Sequence, residues 1–200
     1  MACPTPEANN EEDNGYGHPL LHEMQQHPSV VERYYKPKYC INVFQHKNED
    51  QCVLIHSNRV CLVTVAQSHP LFTENHKVVN ISFQVSACLN RMNNKVSGKS
   101  KRGAQWLGVN APLCKVTCEG GRMYTLISCV RGQLIEVNEA LVDNPQLILE
   151  KPQSDGYIAI VLPRLDEHNQ EIDKLLSEEE YQKVLQERQA EPTNNDSKTS

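Results

Sequence analysis

Long apolar runs and N-terminal basic residues are missing from this chain of 200 residues. The longest nearly uncharged apolar stretch, residues 60–66, is far shorter than the roughly 20 residues that a membrane-spanning helix needs. The first 17 residues carry four acidic side chains and no basic one, whereas signal peptides and mitochondrial presequences are basic and poor in acids. These absences predict a chain of the cytosol or nucleus, with no membrane segment and outside the mitochondrial matrix.

Catalytic sequence motifs are absent as well. The chain contains no G-x-S-x-G turn, no P-loop and no dinucleotide-binding fingerprint. Its formal net charge of −5 is the wrong sign for a surface that coats a phosphate backbone. We therefore expect neither an enzyme nor a general nucleic-acid binder, and we expect no catalytic residue and no bound cofactor.

The eight cysteines form no C-x-x-C pair. Cys114 and Cys118 come closest, but residues four apart in a strand lie roughly 13 Å apart, too far to share one metal ion. Cysteine in an apolar strand behaves as a small hydrophobic residue. Five cysteines have such surroundings in the sequence: Cys40, Cys52, Cys61, Cys88 and Cys129.

Three histidines near the N-terminus, His18, His22 and His27, do not have the spacing of a metal-binding motif. His22 is followed by Glu23, but His27 comes one residue too late for the zinc-protease pattern H-E-x-x-H. Pro19 places His18 outside the short helix predicted for residues 19–27. We expect no metal site and interpret this segment as a polar arm.

Short strands separated by brief turns predict a mainly β domain over residues 19–189. The most regular stretch is residues 78–87, where Val79, Ile81, Phe83 and Val85 alternate with polar residues and should share one face. Gly120-Gly121 is a favoured hairpin turn because both residues tolerate positive φ. The predicted strands are residues 39–44, 51–57, 60–66, 78–87, 113–118, 123–130, 134–137 and 157–162.

Two helical segments and two tails complete the prediction. A short turn over residues 138–142, capped by Asn138, should stop near Pro145. Ser177 and Glu180 form a capping-box pattern that opens a C-terminal helix with Tyr181, Val184 and Leu185 on its apolar face. Residues 1–18 and 190–200 are polar and turn-rich, and we expect them to be disordered.

A basic loop, residues 90–103, interrupts the β domain. Within eight residues it holds four positive charges and no acid: Lys95, Lys99, Lys101 and Arg102. Such a loop is either simply solvated or a contact for an acidic partner, and the sequence does not decide between the two. The acidic C-terminal helix gives the chain a charge asymmetry that suits protein partners better than nucleic acid.

Three stretches from Val130 onward carry a family resemblance: V-R-G-Q-L-I-E-V-N-E-A-L-V-D-N-P-Q-L-I, D-G-Y-I-A-I-V-L-P and L-L-S-E-E-E-Y-Q-K-V-L. They resemble the C-terminal half of the glycine-cleavage H-protein, which carries a lipoyl group on one lysine. The resemblance covers residues 113–187. It implies the barrel-sandwich fold of lipoyl and biotinyl carriers, the single hybrid motif.

The resemblance also places the carrier lysine of that family eleven residues before the glycine matched by Gly132. That position is Gly121, which has no amine. Arg122 cannot replace a lysine because its guanidinium stays protonated and is a poor acyl acceptor. Lys115 lies in the preceding predicted strand rather than at the tip. The scaffold of a carrier is therefore expected without its chemistry.

Two further stretches, V-E-R-Y-Y-K-P-K-Y-C-I at 31–41 and W-L-G-V-N-A-P-L-C-K-V at 106–116, extend a resemblance over the whole chain. With G-Q-L-I-E-V-N-E-A-L-V-D-N-P they resemble the Abitram family, the actin-binding transcription modulators. That resemblance implies actin as the partner, effects on filament assembly in cell projections such as filopodia and dendrites, and a nuclear-speckle pool with further nuclear partners. We expect the four cations of the basic loop to contact actin.

Two other functions remain open on the sequence. One is a lipoyl-type carrier or a lipoylation accessory protein that uses a different lysine. The other is a nucleic-acid-binding adaptor that uses the basic loop, which the acidic net charge and the small number of aromatic residues disfavour.

Overall fold

The computed structural model describes residues 28–74 and 76–190 of the chain and shows a mainly β protein. Twelve strands lie in this part: β1 Tyr35–Cys40, β2 Gln51–His56, β3 Cys61–Val65, β4 Val78–Ser82, β5 Gln84–Ser86, β6 Leu89–Asn90, β7 Trp106–Leu107, β8 Pro112–Cys118, β9 Met123–Ile127, β10 Gly132–Val137, β11 Ala159–Leu162 and β12 Leu176–Ser177. The α-helices are α1 Val30–Tyr34, α2 Pro70–Thr73, α3 Ala140–Asp143, α4 Leu147–Glu150, α5 His168–Ile172 and α6 Glu178–Ala190. The predicted fold class is confirmed.

Two antiparallel sheets enclose the main core. The larger sheet has the strand order β12-β1-β2-β3-β11-β10-β7, and a three-stranded sheet has the order β4-β8-β9. A separate ribbon pairs β5 with β6. Alternate side chains of both sheets point inward and lose nearly all contact with water, which is the main source of stability in such a sandwich. Representative core residues are Val53, Val63, Leu113, Leu126 and Val161.

The regular alternation predicted over residues 78–87 is interrupted. Val79 is 55% exposed, whereas Val78, Ile81 and Phe83 are buried. A bulge between Val78 and Asn80 shifts the pairing with β8 by one residue, which moves Val79 to the solvent face. The prediction for Val79 was wrong, and that for the later residues, including Val85, was right.

The first predicted strand is displaced toward the N-terminus. β1 ends at Cys40, and Asn42 and Phe44 adopt positive φ values of 51° and 53°. Left-handed residues cannot continue a β-ladder, so the chain turns there, and Phe44 is half exposed instead of lying in a strand. The register pairs Tyr35 with His56 and Cys40 with Gln51.

Both predicted helical segments are present. The side chain of Asn138 accepts a hydrogen bond from the backbone of Ala140 at 3.2 Å, just before α3. Ser177 and Glu180 form the reciprocal capping box, with bonds of 2.7 and 3.3 Å. A second capping box, which our sequence prediction missed, joins Ser29 and Glu32 at the start of α1.

The helix α6 is attached to the sandwich through a buried carboxylate. Asp50 is fully buried, and one of its oxygens lies 2.5 Å from Nη1 of Arg188. The hydroxyls of Tyr181 and Ser68 donate to the same carboxylate at 3.0 Å, and the backbone N–H of Asn42 donates at 2.8 Å. Burial alone would raise the pKa of Asp50, but the bonds and charge of Arg188 outweigh it and hold the pKa below its usual value.

The same helix covers the outer face of β1 and β2. The Tyr181 ring stacks on Tyr39 with centroids 4.0 Å apart, above a small second core containing Cys52 and Leu54. Tyr39 in turn donates its hydroxyl to Glu178 at 2.5 Å. The apolar face predicted for this helix is therefore confirmed at Tyr181 and at Leu185, which packs against the same cluster.

The predicted disordered tails and the predicted helix and histidines of residues 18–27 lie outside the described residues, except that Ala190 ends α6. Within residues 28–74 and 76–190, no helix is long and apolar enough to cross a membrane.

Candidate functional site: the hairpin tip and the basic loop

The hairpin tip at the position of the carrier lysine is a tight glycine turn. β8 and β9 are joined by a 3-10 turn over Glu119–Gly121, in which Gly120 and Gly121 have φ values of 84° and 81°. The Cys118 N–H donates to the Arg122 carbonyl at 2.9 Å and closes the turn. The tip is exposed, as the Gly-Gly sequence predicts for a hairpin that needs positive φ.

The tip does not fit an acyl-carrying lysine arm. A Cβ atom at Gly121 would meet no atom within 4 Å, so there is room for a side chain, but glycine supplies no amine. Arg122 is bound by Glu74 through Nη1. Lys115 lies in the middle of β8, opposite Thr125, and not at the turn.

Lys77 places an amine beside the tip, which the sequence did not predict. Its Nζ lies 3.0 Å from Oε1 of Glu119, and its carbonyl accepts the Glu119 N–H at 2.9 Å. Both side chains are more than half exposed, so this ion pair contributes little to stability. The two residues are 42 positions apart, and no local pattern in the sequence brings them together.

Beside the tip, His69 is a structural residue. Its Nδ1 accepts the Leu71 N–H at 3.1 Å and caps α2, and its ring meets the edge of Tyr124 with centroids 5.0 Å apart. Burial lowers the pKa of His69 to about 4, so the ring is neutral near neutral pH. It is therefore poorly placed to act as a cationic or proton-transferring group.

The basic loop is an ordered hairpin. Ser97 and Arg102 exchange two backbone hydrogen bonds of 3.0 and 2.9 Å, and Lys101 adopts a positive φ of 54°. At Gly103 a Cβ atom would lie 2.3 Å from the carbonyl oxygen of Lys95, so only glycine allows the two chain segments to approach so closely. The loop therefore has a defined shape.

Buried polar side chains fix the base of the basic loop. Arg91 is 4% exposed and donates to the Pro112 carbonyl at 2.9 Å and to Oε1 of Gln105 at 2.7 Å. Asn94 donates to the Leu134 carbonyl at 2.7 Å and accepts the Gln105 N–H at 2.8 Å. Burial lowers the pKa of Arg91, and these bonds compensate part of the cost of desolvating its charge.

The four loop cations face solvent without partners of their own. Lys95, Lys99 and Arg102 are exposed, and Lys101 is half-buried. None of the four side chains forms an ion pair or a hydrogen bond with another residue of the described ranges. The loop thus concentrates uncompensated positive charge on a chain whose net charge is negative.

The cysteines that the structure describes are free thiols. Burial raises the pKa of Cys52, Cys61 and Cys114 to about 12, so these thiols stay protonated. The prediction that Cys88 lies in an apolar strand was wrong: Cys88 is exposed in the turn between β5 and β6. Among the residues of the two described ranges, no three His, Cys, Asp or Glu side chains lie close enough to hold a metal ion.

Curated relatives match most of the chain. "Protein Abitram" of Xenopus tropicalis is 48% identical over 168 residues, which are 84% of this chain and 92% of the relative. The chain belongs to the Abitram family. "Protein Abitram" of Homo sapiens is 46% identical over 158 residues, covering 79% of this chain and 87% of the relative. That of Dictyostelium discoideum is 36% identical over 159 residues, covering 78% of this chain and 87% of the relative.

The sequence model of the glycine cleavage H-protein family matches residues 116–188 of the chain. A solved structure of a glycine cleavage system H protein from Mycobacterium marinum has 18% sequence identity and a TM-score of 0.47, and the match covers 68% of this chain and 91% of that one. The matched segment contains Gly121 and all but the last two residues of α6. Neither the Abitram family name nor the carrier-like domain indicates catalysis.

Proposed function

We propose that this protein is a non-enzymatic actin-binding protein that modulates filament assembly and the dynamics of cell projections. The observation that carries the proposal is the basic loop, an ordered hairpin whose four cations have no acidic partner among the described residues. The surface of actin is acidic, and complementary charge across an interface favours both encounter and register. The Abitram resemblance supplies the identity of the partner.

The carrier-like domain acts in this proposal as a rigid support. Arg91, Asn94 and Gln105 hold the basic loop on the sandwich, so its cations are presented without the loss of loop entropy that a disordered segment would incur on binding. The hairpin tip at Gly121 contributes no acyl group. Function therefore depends on surfaces, and the best-defined charged surface is the basic loop.

A location in the nucleus, including speckles, and in actin-rich parts of the cytoplasm belongs to the same proposal. It is supported by the family resemblance. In the nucleus the same loop would contact other acidic proteins, which links the two pools through one surface.

We predict that replacing all four loop cations, Lys95, Lys99, Lys101 and Arg102, with serine weakens co-sedimentation with actin filaments by about tenfold or more. The cause is the loss of the attractive field around the loop. The dependence of binding on salt should also become shallower, because fewer charge contacts remain to be screened. The measurement is the apparent Kd at two ionic strengths.

A charge-matched variant separates this effect from net charge. The control variant replaces four lysines outside the loop with serine: Lys36, Lys151, Lys174 and Lys183. Like the loop variant, it loses four positive charges, so its formal net charge falls from −5 to −9. This control should keep wild-type co-sedimentation. Equal binding by the loop variant and the wild type would remove the basic loop from the actin contact, and equal weakening by both variants would show that only net charge matters.

A further inference from the structure

A second surface surrounds Trp106, the single tryptophan of the chain. Trp106 lies in β7, the edge strand of the large sheet, and is 49% exposed. The guanidinium carbon of Arg164 lies 4.8 Å from the centroid of its ring. Arg131, Leu107 and Gly108 line the same shallow depression. Exposed tryptophan beside arginine is the composition most often found at the energetic centre of protein interfaces.

The two arginines keep most of their hydrogen-bonding capacity. Both approach one carboxylate, that of Glu167, at 3.8 Å from Arg131 and 3.9 Å from Arg164, which is beyond a good hydrogen bond. Neither guanidinium donates a hydrogen bond to any side chain or carbonyl within residues 28–74 and 76–190. Each guanidinium can therefore bind a carboxylate of a partner at hydrogen-bond distance, in the bidentate geometry that arginine favours.

The Trp106 surface, defined as Trp106, Gly108, Arg131 and Arg164, continues into the basic loop. Gln133 is the register partner of Trp106 in β10, and its side-chain amide donates to the Lys101 carbonyl at 3.4 Å. The backbone of Lys101 therefore lies against the strand that pairs with β7, which brings the basic loop next to the Trp106 surface.

We propose that the Trp106 surface binds an acidic linear peptide of a partner protein that carries adjacent large apolar side chains. These side chains pack against the exposed part of the Trp106 ring, and flanking carboxylates reach Arg131, Arg164 and the cations of the neighbouring basic loop. A single-stranded nucleic acid fits less well, because Trp106 offers only one stacking platform for its bases within the described part of this surface. The inference goes beyond actin binding and does not depend on it.

The probe is the synthetic peptide acetyl-Glu-Glu-Leu-Phe-Glu-Glu-amide, with and without a fluorescein label. Because Trp106 is the only tryptophan, fluorescence excited at a wavelength that the seven tyrosines do not absorb reports on this surface alone. We expect a saturable blue shift of the emission and a matching rise in anisotropy of the labelled peptide. A peptide with alanines in place of leucine and phenylalanine, and one with lysines in place of the glutamates, should bind at least about tenfold more weakly.

The double variant Arg131→Glu, Arg164→Glu should lower the affinity by about tenfold or more, whereas Lys36→Glu with Lys183→Glu should leave it unchanged. Anisotropy is the readout for the variants, since Arg164 itself contacts the indole ring. If the glutamate pair disturbs folding by circular dichroism, the milder Arg131→Gln, Arg164→Gln pair replaces it. No peptide binding, equal binding by the arginine variant, or binding of a twelve-residue oligouridine in place of the peptide would each overturn the proposal. Since no actin is present, these outcomes are independent of the co-sedimentation result.

Discussion

Arg188→Met is expected to lower the free energy of unfolding by about 3 kcal/mol. The substitution keeps the length and apolar stem of the side chain but removes the only positive charge that contacts the buried Asp50 within the described part of the chain. Asp50 is fully buried, so its carboxylate would lose its ion pair while remaining desolvated. The measurement is urea unfolding at neutral pH, followed by circular dichroism.

A matched control on the same helix is Lys183→Met. Lys183 is exposed, and its substitution should change the free energy of unfolding by no more than about 0.5 kcal/mol. Asp50→Asn combined with Arg188→Met completes a double-mutant cycle, and we expect the two changes to be strongly non-additive. A loss below about 1 kcal/mol for Arg188→Met would mean that the ion pair does not hold α6 on the sandwich.

The same ion pair should make the folded protein less stable as the pH becomes acidic. The folded pKa of Asp50 is held below its usual value of about 3.9, so its contribution is fully present above that value and is lost as the pH falls through the folded pKa. The difference in unfolding free energy between wild type and Arg188→Met should therefore shrink as the pH falls below the usual pKa of an aspartate.

Gly156→Ala is expected to destabilise the fold by about 3 kcal/mol, a large effect for one added methyl group. Gly156 is buried in the turn after α4, and its N–H donates to the Lys151 carbonyl at 2.8 Å. A Cβ atom there would lie 1.9 Å from the carbonyl oxygen of Leu147 and 2.8 Å from that of Lys151. Both neighbours are backbone atoms, which cannot move away as a flexible side chain can. Thermal and urea unfolding measure the change.

Gly108→Ala is the control for this prediction. A Cβ atom at Gly108 would have no atom within 4 Å, so the same chemical change should alter stability by no more than about 0.5 kcal/mol. A loss below about 1 kcal/mol for Gly156→Ala, or an equal loss for Gly108→Ala, would contradict the view that backbone contact dominates at Gly156.

Local patterns in the sequence predicted the local parts of this fold. The capping box of Ser177 and Glu180 and the hairpin turn at Gly120-Gly121 depend on residues at most four apart, and both were found where predicted. Val79 was misassigned because a bulge adds a residue to one strand, and alternation alone cannot reveal that. The Asp50–Arg188 pair joins residues 138 positions apart, and nothing near either residue identifies its partner.

In the candidate sites too, local features could be predicted from the sequence, whereas contacts between distant residues could not. The charge of the basic loop is visible in the sequence, but its order is not, because order depends on the buried Arg91 and on Asn94, which bonds to β10. No local pattern in the sequence indicates a role for Trp106, because Arg164, which contacts its ring, is 58 positions away along the chain. The family resemblance located Gly121, and the structure added Lys77 as an amine paired with Glu119 of the turn.

The absence of a carrier lysine is tested most directly by the intact mass of the full chain after co-expression with a lipoate ligase. A glycine-cleavage H-protein expressed in parallel shows that the ligase is active. Because Gly121 has no amine and Lys77 is paired with Glu119 beside the turn, we predict that the mass remains that of the unmodified chain. A lipoyl addition mapped to Lys77, Lys115 or any other lysine would contradict this and restore a carrier role to the domain.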